Sequence, residues 1–113
     1  HLEEEVRLFL IKNNIDFIQE KTFDWLKDKN NLFLDFYLPG LNAAIECQGI
    51  QHFKPVDFFG GENSLPIIEH RDDLKYSLCE EHNIKLLYFT HNNLEYRYDT
   101  ITSLKELKEA ILS

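Results

Sequence analysis

The sequence predicts an α/β fold, a mixed sheet with helices packed against it, in the order helix, three strands, helix, strand and a last helix. Three observations predict it. The hydrophobic period changes from helical spacing to two-residue alternation and back again along the chain. A Pro39 to Asn42 turn joins two apolar runs into a hairpin. A long helical segment beginning near Ser64 then separates that hairpin from another apolar run, as in a crossover that returns the chain to the same sheet.

Each element has its own signal. "LEEEVRLFLIKNN" carries Val6, Phe9 and Leu10 at helical spacing and stops at Asn13-Asn14. "DFIQEKTF" alternates Phe17, Gln19, Lys21 and Phe23, the pattern of a half-exposed strand. "NLFLDFYL" and "NAAIECQG" are the central strands. An aromatic, Gly-rich loop, "FKPVDFFGGENS", follows. Ser64 then stands as an N-cap with Pro66 tolerated in the first turn, and Ile67, Leu74 and Leu78 form the stripe of the second helix. Asn83 ends it, and "IKLLYFT" is a buried strand. After an irregular stretch, Ser103 and Glu106 have capping-box spacing for a final helix with Leu104, Leu107 and Ile111 on its apolar face.

Composition bounds the function. The chain has 113 residues, of which 43% are hydrophobic and 13% aromatic, enough for a core and too many for a disordered segment. Residues 1–113 read as one domain, and the opening on His1 rather than Met reads as a fragment of a longer protein. No apolar run reaches the roughly 20 residues of a membrane span. A net charge of -8 argues against a surface that binds nucleic acid by cationic contacts alone, and fits a site that gathers carboxylates around a cation. Cys47 and Cys79 fall on a strand and a helix, and read as reduced, packed thiols of a cytoplasmic protein.

Asp35 and Glu46 interrupt the apolar hairpin. A symmetric turn pairs Leu38 with Ala43 and sets Asp35 opposite Glu46, with Gln48 on the same face. Side chains directly across a pair lie roughly 5 Å apart at Cβ, so two ionised carboxylates there repel. A divalent cation between them removes the conflict, and an all-oxygen ligand set selects Mg²⁺ or Mn²⁺. The alternative is a carboxylate paired with a lysine or turned outward at an edge. A one-residue slip of register would separate the two faces. His52 follows where Gly49 lets the chain leave the sheet. It reads either as a general acid-base group beside the metal or as a packed loop histidine.

Glu3 shares the Val6–Leu10 face of the first helix and so points to the core, whereas Glu4 and Glu5 read as solvated face. Asp72 and Lys75, one turn apart on the second helix, are either part of the site or a surface ion pair. His70, His82 and His91 have no metal-ligand spacing with either cysteine, which argues against zinc.

These residues resemble a known family. "FLDFYLPGLNAAIECQG", read as D–x(10)–E–x–Q, is similar to the core of the PD-(D/E)XK nuclease superfamily, whose restriction-endonuclease-like αβββαβ order also matches. "IECQGIQHFKPVDFFGGEN" with "RDDLKYSLCEEHNIKLLYF" looks like phage homing endonucleases related to very-short-patch-repair endonucleases. The similarity runs from Glu3 to about Thr90. In that branch a helix Glu, a strand Asp, a His after the third strand and an Asp on the second helix carry the site, which implies Glu3, Asp35, His52 and Asp72 here.

There are two departures: Leu34 stands where the superfamily has Pro before the Asp, and Gln48 stands where it has lysine. The acid-base role therefore passes to His52, the preferred reading, or to Lys75 reaching in from the helix. The resemblance implies a metal-dependent DNA endonuclease acting in the cytoplasm of a bacterial or phage-infected cell. Asp35, Glu46 and the Cys47 carbonyl would hold Mg²⁺ or Mn²⁺, Gln48 would bond water or phosphate, and Glu3 and Asp72 would support the metal or hold a second one. Lys75, Gln51 and Lys54 would meet the substrate, the aromatic loop would either insert against the duplex or pack beneath itself, and a separate DNA-binding module would lie elsewhere in the full-length protein. The alternatives are a nuclease fold retained as a non-catalytic DNA-processing or binding module, and a metal-dependent hydrolase of RNA.

Overall fold

The computed structural model describes residues 1–53, 64–92 and 95–112. Helix α1 (Leu2–Lys12) leads into β1 (Ile18–Lys21), β2 (Leu34–Leu38) and β3 (Ala43–Cys47). A 3-10 turn (Ile50–His52) follows, then α2 (Leu65–Glu81), β4 (Lys85–Phe89), β5 (Thr100–Ile101) and α3 (Leu104–Leu112). The five strands form one sheet in the order β1-β2-β3-β4-β5. The first three are antiparallel, and β3, β4 and β5 are parallel. The expected mixed sheet with flanking helices is the fold, with one strand more than the sequence showed. Thr100 and Ile101 pair with Tyr88 and Phe89, too short a run to display a period.

The central hairpin forms as its sequence requires. The Leu41 N–H donates to the Leu38 carbonyl across Pro39-Gly40, and Asn42, at φ 48, takes the left-handed turn that asparagine tolerates. The register is that of a symmetric turn, with Leu38 opposite Ala43, Tyr37 opposite Ala44 and Phe36 opposite Ile45. Alternation then divides the core. Phe36, Leu38, Ala43, Ile45, Leu87 and Phe89 pack against Val6, Phe9 and Leu10 of α1 and Leu107 and Ile111 of α3. Tyr37, Ala44 and Leu86 face the other way, where Leu78 and Cys79 of α2 and Phe23, Trp25 and Leu26 cover them. Burying each large side chain removes apolar area worth about 1.5–3 kcal/mol, which holds the three layers together.

Helix ends follow their sequence signals with one exception. Asn14 and Asn83 both sit at positive φ just beyond α1 and α2, and the Glu106 N–H donates to Ser103 Oγ. Ser64 is the N-cap residue of α2, but its side chain makes no capping hydrogen bond. The stripe expected on α2 is displaced by one residue. Ile67 is 39% exposed and Ile68 only 8%, so the buried line runs through Ile68, Asp72 and Cys79. Leu74 and Leu78 are half-buried beside it. An inward line containing an aspartate is invisible to a search for apolar spacing. Among the described residues no helix is long and apolar enough to cross a membrane.

Candidate active site

Asp35 and Glu46 lie on the α2 face of the sheet, one residue beyond the last paired positions, Phe36 and Ile45. There the carboxylates take over the ladder. The Asp35 N–H donates to Glu46 Oε2 at 2.8 Å, and the Cys47 N–H donates to Asp35 Oδ2 at 2.8 Å. Each carboxyl group is thus fixed by a backbone N–H of the opposite strand. The other Glu46 oxygen, Oε1, accepts from Lys75 Nζ of α2 at 2.6 Å.

A half-buried acid and a fully buried one therefore share one ammonium. Burial first, and the Glu46 charge next, push Asp35 up to about 8, against the pull of the Cys47 N–H and Lys75; Glu3 adds to the rise. Burial alone would lower Lys75, but Glu46 more than offsets it, so its ammonium is held charged. The Lys75 and Asp72 side chains are not a surface ion pair, since both point inward to different partners. Burial also raises both thiols, Cys79 to about 11, and neither is in a disulfide.

Asp72 belongs to a second cluster. Its Oδ2 lies 2.8 Å from His52 Nδ1 and accepts from the Tyr96 hydroxyl at 2.8 Å. An ionised carboxylate only accepts, so His52 carries its proton on Nδ1 and Nε2 keeps a lone pair in the neutral ring. Asp72, expected to support the metal or hold a second one, is thus placed with its Oδ2 on the imidazole and the Tyr96 hydroxyl. His52 is placed by the 3-10 turn, closed by its N–H donating to the Gly49 carbonyl at 3.1 Å. Gly49 itself has φ -77, a conformation open to any residue, so its value there is not left-handed freedom.

Gln48 is also repositioned. It is 2% exposed, and Nε2 donates to the Tyr96 hydroxyl at 2.8 Å, so the amide is committed to the protein rather than to water or phosphate. Glu3 is half-buried and near enough for its charge to be felt at Asp35 and Cys47, whereas Glu5, expected to be solvated, is held by His91 at 2.6 Å. Lys54, the Gln51 side chain and the aromatic loop beyond Phe53 lie outside the described residues.

A cleft of about 540 Å³ opens between α2 and the 28–33 loop. His52, Asp72 and Lys75 line it together with Lys29 and Arg71, two cations that the sequence reading missed. Among the described residues that line it, Lys75 is the one that bonds the carboxylate pair, through Glu46 Oε1. Tyr88 is a further unforeseen member. It is the partner of Glu46 in the parallel β3–β4 register, and its buried hydroxyl has no hydrogen-bond partner among the described residues. Nothing local in "NNLEYRYDT" or "KLLYF" marks Tyr96 or Tyr88 as site residues; only the crossing of the chain over the sheet does.

No known family profile matches the chain. Three viral proteins resemble parts of it. Uncharacterized protein 307L of Invertebrate iridescent virus 6 is 29% identical over 73 residues, 64% of this chain and 37% of that protein. Uncharacterized protein 094L of Frog virus 3 (isolate Goorha) is 41% identical over 58 residues, 50% of this chain and 37% of that protein. Uncharacterized protein 033L of Invertebrate iridescent virus 3 is 32% identical over 59 residues, 51% of this chain and 30% of that protein. The chain spans about a third of the length of these curated relatives.

Proposed function

We propose that this chain is the catalytic part of a metal-dependent endonuclease that hydrolyses phosphodiester bonds in DNA. The observation that carries the reading is the pairing of Asp35 and Glu46, two backbone-anchored carboxyl groups that share a single ammonium and compete for one proton, beside a cleft that holds an imidazole–carboxylate pair.

The donor set suits a sparsely held hard cation. Among the described residues no three His, Cys, Asp or Glu side chains gather to hold a metal. Mg²⁺ commonly uses only one or two carboxylates and completes its shell with water and substrate oxygens. The unpartnered Tyr88 hydroxyl beside Glu46 in register is a further sign that a polar occupant belongs there. Asp35, Glu46 and the Cys47 carbonyl would hold Mg²⁺ or Mn²⁺, which when bound polarises the scissile phosphate and makes a coordinated water more acidic.

The remaining chemistry belongs to side chains. His52 Nε2 accepts the proton of the attacking water while Asp72 steadies the imidazolium through Nδ1–H. The water oxygen bonds to phosphorus, the P–O bond to the leaving sugar breaks, and the leaving oxygen takes a proton from solvent. Lys75 offsets the charge of the carboxylates in the resting site and of the phosphate in the reacting one. Lys29 and Arg71 supply further positive charge at the mouth.

DNA rather than RNA rests on the family resemblance of the hairpin and second helix. The net charge of -8 supports the view that most DNA affinity comes from a module outside this chain. The test is plasmid nicking with Mg²⁺ or Mn²⁺ by the wild type, Asp35→Ala and His52→Ala, with any DNA-binding partner added. Metal-dependent nicking lost in both variants supports the proposal. Absence of cleavage by the wild type with that partner supports the retained, non-catalytic fold instead, and cleavage of RNA alone reassigns the substrate.

A further inference from the structure

Outside the carboxylate pair, the polar chain that joins β3 to the 3-10 turn is the feature with the most definite geometry. It runs from Gln48 Nε2 to the Tyr96 hydroxyl, from that hydroxyl to Asp72 Oδ2, and from the same Oδ2 to His52 Nδ1, each contact 2.8 Å. Its direction is forced. Asp72 accepts only, so Tyr96 must spend its single proton there, and Gln48 must then present its amide N–H₂ to the hydroxyl's lone pair. The Gln48 backbone is itself clamped: its N–H donates to the Phe89 carbonyl at 2.9 Å and its carbonyl accepts from Thr90 Oγ1 at 2.8 Å. Tyr96 is further wedged between rings, with Phe53 at 5.1 Å and Tyr88 at 5.5 Å between centroids. Burial, and then the neighbouring Asp72 charge, push the Tyr96 phenol far up, so it stays a donor across the working range.

We propose that Tyr96 is a positioning residue for His52: held by the Gln48 amide, its hydroxyl fixes the Asp72 carboxylate so that Oδ2 takes the Nδ1 proton of the imidazole and leaves Nε2 facing the cleft as the base. This deepens the endonuclease reading and rests on it for the role of His52. It also gives a reason for glutamine at position 48. A neutral amide there can anchor a hydroxyl without adding a third group to the competition between Lys75 and the two acids. Among the described residues, the charged groups sharing the cleft with His52 are Asp72, Arg71 and Lys75 from α2 and Asp28 and Lys29 from the 28–33 loop, with Tyr96 acting through Asp72.

The test separates this inference from the enzyme reading because its main readout needs neither DNA nor metal. Imidazole ¹⁵N shifts of His52 in the metal-free protein report which ring nitrogen carries the proton of the neutral form. The wild type should show the Nδ1–H form. Tyr96→Phe keeps the ring and removes the proton donor, and a bond to a charged acceptor is worth enough to lower the Nδ1–H to Nε2–H ratio by about tenfold. Gln48→Met, which leaves Tyr96 intact but unanchored, should move the ratio the same way by less and covers the case in which Tyr96→Phe fails to fold. In nicking assays both variants should lose kcat with KM unchanged. An Nε2–H wild type, or an unchanged ratio in a folded Tyr96→Phe or Gln48→Met, overturns the inference even if the protein cuts DNA. Failure to nick DNA with the ¹⁵N result as expected overturns the enzyme reading alone.

Discussion

The charge imbalance at the hairpin has a thermodynamic consequence that can be measured without any substrate. In the folded protein Asp35 is pushed up to about 8 by burial and by Glu46, from an ordinary value of 3.8 in the unfolded chain. Between those limits the native state holds a proton that the unfolded state has lost. Stability therefore falls as pH rises, by about 1.4 kcal/mol per unit for one retained proton. Over the two units from pH 5 to 7, where most of the retention lies, the loss is about 2–3 kcal/mol. Asp35→Asn abolishes it. The asparagine carbonyl can still accept the Cys47 N–H, and Glu46 is left as an ordinary partner of Lys75. Urea unfolding of both proteins in EDTA at pH 5, 6, 7 and 8 reads the effect, and the difference between the two curves cancels the histidines and every other shared group. The wild type should lose stability relative to Asp35→Asn by about 2–3 kcal/mol between pH 5 and 7. Parallel pH dependences would refute the reasoning, since they would mean that no extra proton is held at the pair.

Three further outcomes follow from the same geometry. Lys75→Met leaves the buried Glu46 without its ammonium and should cost about 3–5 kcal/mol at neutral pH, with part of the loss recovered in acid as the pair takes up protons; urea unfolding at pH 5 and 7.5 checks both. Tyr88→Phe removes a buried hydroxyl that has no partner among the described residues and should raise stability by about 1 kcal/mol in the metal-free protein, read as a higher urea midpoint at unchanged m-value. Phe36→Ala, at one of two fully buried phenylalanines among the described residues, should cost about 3–5 kcal/mol, whereas Ile67→Ala on the exposed side of α2 should stay within about 0.5 kcal/mol. Equal losses for Phe36→Ala and Ile67→Ala would contradict the placement of the α2 face.

What was legible in the sequence is what depends on period and local turn chemistry. Val6, Phe9 and Leu10 mark a helix face, Pro39 to Asn42 mark a hairpin, and the symmetric turn gives the register that sets Asp35 across from Glu46. What was not legible depends on long-range packing. The inward line of α2 contains Asp72 because His52 and Tyr96 meet it there, a fact about distant segments rather than about the helix. Gln48 stands where the superfamily has lysine, a place expected to bond water or phosphate, but its amide N–H donates to Tyr96, 48 positions away. β5 has two residues and no period of its own, and it is a strand only because β4 leaves an edge for it.

The polar residues of the site also argue for the register of the sheet. A one-residue slip of β2 or β3 would turn its carboxylate toward Phe9, Leu10, Leu107 and Ile111, and would bring Phe36 or Ile45 against Asp72 and Lys75 of α2. Either carboxylate would then lose its backbone N–H donor, and Glu46 would lose the ammonium as well. An unpaired buried charge costs several kcal/mol even after relaxation, far more than the few tenths by which strand propensity distinguishes neighbouring registers. The correct register does not remove the expense, since one proton's worth of repulsion remains at Asp35. It does confine that repulsion to a single point, at the end of β2 and β3 where the chain turns out toward His52. The arrangement that strains the metal-free hairpin is thus the same one that selects its pairing. The negative charge proposed to attract a cation cannot be removed without also loosening the choice of register.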